Sequence, residues 1–280
     1  MLDSLVFRAG IDSMATANTQ LALSEAQSSR KFYIAALIAL LLLAGGSMYS
    51  FIRARTHAKV LEEKNKIIRE EQQRSESLLL NILPSLVAEE LKKKGHTNAR
   101  FFEDVSVLFA DFVGFSKIAE QLGPQQLVSE LDTCFRAFDQ IIAKYNLEKI
   151  KTIGDAYMCA GGLPIPNDTH ASDAVRAALE MCEWLENRNR NNPNAVFRQM
   201  RIGIHTGPVV AGVIGKNKFA YDIWGDAVNL AARLEELGEP NRINISEETA
   251  EAVKKEFAVT YRGQKEVHNK GLVGMYFVES

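Results

Sequence analysis

The hydrophobic pattern changes character twice along this chain. From Phe32 to Ile52 no charged residue interrupts an apolar run, which Arg30-Lys31 and Arg53-Ala54-Arg55 flank. At 1.5 Å per residue the run makes about 31 Å of helix, close to the hydrocarbon thickness of a bilayer, so it predicts a spanning helix rather than a core helix. A cleaved leader would be shorter, begin nearer Met1 and end on small residues. From Ala54 to Leu83 Glu, Lys, Arg and Gln dominate, with Leu61, Ile68 and Ile82 at multiples of seven and Val60 and Ile67 one step out. That weak heptad admits a short parallel coiled coil between two protomers or a solvated helix with i,i+4 charge pairs; the coiled coil is the favoured reading. Pro84 interrupts the pattern, and Gly95 after Lys92-Lys93-Lys94 marks the end of a following helix.

Beyond residue 100 the apolar period switches between two and three-to-four. Strand is expected at 105–110, then a helix at 124–145 whose Leu127, Leu131, Phe135, Phe138 and Ile142 share a face. Extended runs follow at 147–153 and 156–160, a helix at 171–185, strands at 200–205 and 209–214, and a helix at 226–237. This β-α-β-β-α-β order predicts an α+β domain: a mostly antiparallel, ferredoxin-like sheet with helices on one face. The parts expected are a short outer segment 1–31, a transmembrane helix 32–52, connecting helices 53–99 and a globular domain 100–280.

Composition adds exclusions. The 280 residues are 46% hydrophobic and 24% charged, with a formal charge of -2, which suits one globular module with accessory segments and lacks the basic excess of a nucleic-acid binder. Cys134, Cys159 and Cys182 lie in apolar runs without paired spacing and read as packing residues. Arg53, Arg55, Lys59, Lys64, Lys66 and Arg69 follow the span, against Arg30 and Lys31 before it. The positive-inside bias therefore puts residues beyond the span in the cytoplasm, as a single-pass protein of the inner (plasma) membrane. The five histidines show no ligand spacing to one another: His205 falls on an alternating strand, and His57, His96, His170 and His268 in polar contexts.

Two acidic residues stand where apolar strands give way to turns: Asp111 in Phe109-Ala110-Asp111-Phe112-Val113-Gly114-Phe115, and Asp155 in Lys151-Thr152-Ile153-Gly154-Asp155-Ala156-Tyr157. Either alone reads equally as a turn or capping aspartate. Together they could hold divalent cations, which prefer carboxylate oxygen and share their sphere with substrate phosphates. Downstream comes Tyr221-Asp222-Ile223-Trp224-Gly225-Asp226-Ala227-Val228-Asn229-Leu230-Ala231-Ala232-Arg233.

Across roughly residues 100–280 these motifs resemble the catalytic domain of class III nucleotide cyclases, of the membrane-anchored bacterial adenylyl type. The resemblance implies that Asp111, Asp155 and the Phe112 carbonyl bind two Mg²⁺ or Mn²⁺ ions per site. Val113, Gly114, Phe115 and Ser116 would turn backbone N–H groups toward the triphosphate, and Lys270 would meet its terminal phosphates. Asn229 would orient the ribose and Arg233 would meet charge on the α-phosphate. Lys151 and Asp222 would face the purine, where adenylyl cyclases carry lysine and aspartate and guanylyl cyclases glutamate and cysteine. A lysine donates, as adenine N1 requires, and an aspartate accepts from the N6 amine. Strand alternation puts Lys149 and Lys151 on one face, so the family register alone selects Lys151. The reaction implied is attack of the ribose 3′-hydroxyl of ATP on its α-phosphorus, giving 3′,5′-cyclic AMP and pyrophosphate, at sites shared between the subunits of a homodimer. The alternatives are a guanylyl cyclase and a silent membrane receptor or scaffold.

Overall fold

The computed structural model describes residues 2–215 and 219–279; Met1, at the start of the expected outer segment, lies outside them. The chain divides into two compact units, residues 1–75 and 76–280. The first belongs to one continuous helix, α1 (Leu2–Leu80), so that the apolar run and the heptad stretch are successive parts of it. Leu40, Leu41, Leu42 and Leu43 are each more than half exposed. Four consecutive residues point around a helix's whole circumference, so this segment is apolar on every side with no protein covering it. By length and composition it is able to cross a membrane, with a mean hydropathy of 2.0 over its best window.

In the second unit, Pro84 precedes α2 (Ser85–Lys94), and Gly95 ends it in the left-handed conformation at φ 75°. Then follow β1 (Arg100–Phe112), α3 (Phe115–Gln121), α4 (Pro124–Lys144), β2 (Glu148–Ile153), β3 (Ala156–Gly161), α5 (His170–Asn191), β4 (Met200–Ile214), β5 (Ala220–Trp224), α6 (Asp226–Glu236), β6 (Ile243–Ser246), α7 (Glu247–Val253), β7 (Val259–Val267) and β8 (Gly271–Val278). The sheet order is β2-β3-β1-β4-β6-β8-β7, with β5 paired to β4 off that path. Every neighbouring pair among the described residues is antiparallel except β4 with β6.

Alternation along β1 sorts the core. Leu108, Ala110 and Phe112 join Phe138, Ile141, Ala174, Ala178 and Met181 from α4 and α5. Val105, Val107 and Phe109 join Ala88 of α2 and Ala227 and Ala231 of α6. Helices therefore cover both faces, where one face was expected. The second layer depends on Gly203, because a Cβ there would lie 2.1 Å from the backbone N of Glu235 in α6. The two strands expected at 200–205 and 209–214 are one strand. Pro208, which has no N–H, falls opposite the β1 bulge between Phe102 and Val105, where the ladder is already interrupted.

Candidate active site

β1 and the β2–β3 turn bring the two aspartates together. Asp111 is the penultimate residue of β1, and Gly154, at φ 65°, makes the tight turn that presents Asp155 beside it. Burial first, and then the hydrogen bond and charge of Asp111, hold the Asp155 carboxyl well above the usual aspartate range, while N–H groups of Asp155 and Phe112 partly offset this. Two carboxylates brought this close form an oxygen-rich acidic pair, the donor chemistry that Mg²⁺ or Mn²⁺ takes. Among the described residues no three His, Cys, Asp or Glu side chains converge as a metal site, so carbonyl, water and phosphate oxygens would have to complete each sphere. The Phe112 ring is buried and stacked on Phe197 at 4.3 Å, which leaves only its backbone to face the pair.

Arg201 and Glu235, unmarked in the sequence reading, complete this end. Arg201 Nη2 donates to Asp111 Oδ2 at 3.0 Å. Its Nε lies 3.0 Å from Glu235 Oε1, yet neither atom makes a directed hydrogen bond, so the contact is an ion pair without bond geometry. Burial, then the Asp111 charge, push Glu235 up to about 7 against the opposing Arg201. Both had a signal. Arg201 is a charge inside the apolar start of β4, and Glu235 continues the buried i,i+4 stripe Ala227–Ala231 of α6.

The second cluster joins β2 to β5: Lys151 Nζ donates to Asp222 Oδ2 at 2.6 Å. Lys149 instead lies 2.7 Å from Asp139 of α4. The two lysines do not share a face, because a register shift between them breaks the alternation of β2. The third cluster is the ion pair of Lys270 with Asp226 at the start of α6. Asn229 and Arg233 are exposed one turn apart on α6, and Arg233 pairs with Glu236.

The loop after Asp111 differs from expectation at one residue. The Val113 N–H donates to the Gln199 carbonyl at 3.0 Å, so it is occupied, whereas Gly114, Phe115 and Ser116 lie at the start of α3. Cys134, Cys159 and Cys182 are free thiols; burial pushes Cys134 up to about 11, Cys182 up to about 12 and Cys159 higher still, as inert packing residues require.

A family model described as the adenylate and guanylate cyclase catalytic domain matches residues 97–280. An adenylate cyclase of Mycobacterium bovis is 39% identical over 213 residues, covering 76% of this chain and 48% of that protein. The human atrial natriuretic peptide receptor 2 is 38% identical over 224 residues, 79% of this chain and 21% of the receptor. The chain thus spans about half of one curated relative and a fifth of the other. The crystal structure of the adenylyl cyclase CyaB from P. aeruginosa superposes with a TM-score of 0.62 at 28% identity, over 66% of this chain and 97% of that one.

Proposed function

The chain belongs to the adenylate and guanylate cyclase catalytic domain family, and from that premise we propose that it is an adenylyl cyclase, converting ATP to 3′,5′-cyclic AMP and pyrophosphate. The observation that carries the choice of ATP is the Lys151–Asp222 pair at 2.6 Å. In the free protein the two charges satisfy each other; with a purine between them, Lys151 donates to N1 and Asp222 accepts from the 6-amine. Guanine offers an N1–H donor and an O6 acceptor at those places and meets the wrong partner at both. The test is the product formed by the full chain in detergent from ATP or GTP, with Mg²⁺ or Mn²⁺. Cyclic AMP is expected, and cyclic GMP alone would favour the guanylyl alternative. A silent scaffold is disfavoured by the functional side-chain types at Asp111, Lys151, Asp155, Asp222, Asn229 and Arg233.

Asp111 and Asp155, with the Phe112 carbonyl, would hold the two divalent cations, which when bound supply Lewis-acid charge near the ribose 3′-oxygen and the phosphates. Arg233 contributes a fixed positive charge at the α-phosphate, where the transition state gathers negative charge. Asn229 holds the ribose so that its 3′-oxygen is in line, and Lys270 leaves Asp226 to take the terminal phosphates. Gly114, Phe115 and Ser116 direct N–H groups at the triphosphate.

Class III cyclase domains act as dimers, and the exposure of Asn229 and Arg233 supports a homodimer in which they act on a nucleotide whose cations sit on the other subunit. Ile153, Val210, Ile214, Phe219 and Trp224 are exposed apolar residues of the β2–β3 and β4–β5 hairpins, a surface suited to such an interface. The apolar part of α1 supports a single-pass anchor in the inner membrane with the catalytic domain cytoplasmic, where nucleoside triphosphates occur. The part that follows it would be the coiled coil.

A further inference from the structure

α6 carries Arg233 in its last turn, where a helix runs out of backbone donors for its carbonyls and tends to fray. Here side chains from two strands close that end. The Leu237 N–H donates to the carbonyl of Arg233 itself at 3.0 Å, and the Leu237 carbonyl in turn accepts from Arg262 Nη1 of β7 at 2.6 Å. The Gly238 N–H, which a continuing helix would direct at Leu234, bonds to the Glu235 carbonyl at 2.8 Å instead. Asn244 Nδ2 of β6 takes its place, donating to the Leu234 carbonyl at 2.7 Å. Asn244 lies beside Gly203 in the parallel β4–β6 pair, the glycine that lets α6 come close.

Asn244 is a costly residue at this position. It is fully buried, its Nδ2 faces two acceptors, the Leu234 carbonyl and Met275 Sδ at 3.4 Å, and its Oδ1 has no partner among the described residues. An unpaired buried amide oxygen destabilises a core in a way that a leucine of similar size would not, so packing does not account for the residue. What its amide achieves is to fix the carbonyl next to Arg233. Arg262 acts from the other strand with a mostly buried side chain, its guanidinium lying over the Phe277 ring at 4.7 Å.

We propose that Asn244 and Arg262 are positioning residues for the proposed reaction, pinning the last turn of α6 so that Arg233 is presented to the α-phosphate of the nucleotide. This rests on the reading of Arg233 as the α-phosphate arginine. Asn229 sits one turn earlier, so loss of the anchors displaces Arg233 more than the ribose contact. Misplacing a catalytic group by about 1 Å costs about a hundredfold in rate, and a charge that acts on the transition state alone is lost from kcat rather than from KM.

The test is a set of double-mutant cycles on the full chain in detergent, reading kcat and KM for ATP, or for GTP should that be the nucleotide turned over. Asn244→Leu and Arg262→Met keep roughly the size of each side chain and remove its donor. Each should lower kcat about tenfold to a hundredfold with KM within about twofold. Combined with Arg233→Ala, neither should lower kcat further, because no guanidinium is left to place; combined with Lys151→Ala, each should act by the same factor as alone. A variant that only reduces the folded fraction lowers the rate by one factor in every background. Equal factors in the Arg233→Ala and Lys151→Ala backgrounds would therefore overturn the proposal, as would an unchanged kcat in a folded single variant, and the Arg262→Met arm decides the matter if Asn244→Leu fails to fold. An unchanged kcat in Arg233→Ala itself would instead remove the α-phosphate reading of that residue, and this proposal with it.

Discussion

A lysine and an aspartate 71 residues apart in sequence end 2.6 Å apart in the fold, and the choice of purine rests on that pair. Lys151 is partly exposed and the Asp222 carboxylate mostly buried in the free protein, so a base that satisfies both replaces one strong contact with two. Changing Lys151→Glu together with Asp222→Cys reverses the donor and acceptor order, and the double variant should lose about a hundredfold or more with ATP while gaining cyclic GMP formation from GTP; comparison of kcat/KM for the two nucleotides checks it. A second prediction concerns Glu148 on β2, whose carboxyl burial pushes up to about 6. An acid with a raised folded pKa holds more protons folded than unfolded, so its contribution is present below the ordinary glutamate range and is lost as the pH rises through about 6. Glu148→Gln should therefore raise the melting temperature at pH 8 and leave it little changed at pH 4, as thermal denaturation at the two pH values would record.

At the scale of elements, the site depends on how closely α6 lies on β4. Asp226, Asn229, Arg233 and Glu235 all ride on this helix, and Gly203 lets it approach to a distance that no side chain permits. Gly203→Ala forces the helix outward and should cost about 3 kcal/mol, a fall in melting temperature of roughly 6–12 °C for a domain of this size. The helix and strand periods were readable where one element buried one face, as in α4 with Phe135 and Phe138. They failed where the backbone departs from regular alternation. The β2 bulge sends Lys149 to Asp139 and Lys151 to Asp222, which residue parity alone does not reveal. Gly207-Pro208 reads as a turn and lies instead within β4 opposite a bulge. β5, β6 and α7 are only 5, 4 and 7 residues long, so their periods are too weak to assign, and the alternation of β7 is broken by the register shift between Tyr261 and Gly263. Of the site, Asp111 and Asp155 were legible as acids at strand ends; Arg201 and Glu235 were not singled out, because a lone charge in an apolar strand or stripe gains meaning only from the partner it meets.

For the whole molecule, a hydrophobic helix bare on every side and a cyclase catalytic domain lie on one chain, and the domain carries both the paired aspartates and the exposed α6 residues of the proposed site. The exposed faces of α6 and the β4–β5 hairpin make sense if a second copy covers them. In a two-fold dimer each site then takes its aspartates from one subunit and its α6 residues from the other. Asp111→Ala and Asn229→Ala homodimers should each be inactive. Co-expressed in equal amounts they form heterodimers as about half of all dimers, each with one intact site of two, so cyclic AMP formation should recover to about a quarter of wild type. The decisive measurement is that activity on heterodimers isolated with two different tags. Recovery near half the wild-type rate per dimer is the expected result, and inactive heterodimers would contradict the shared site.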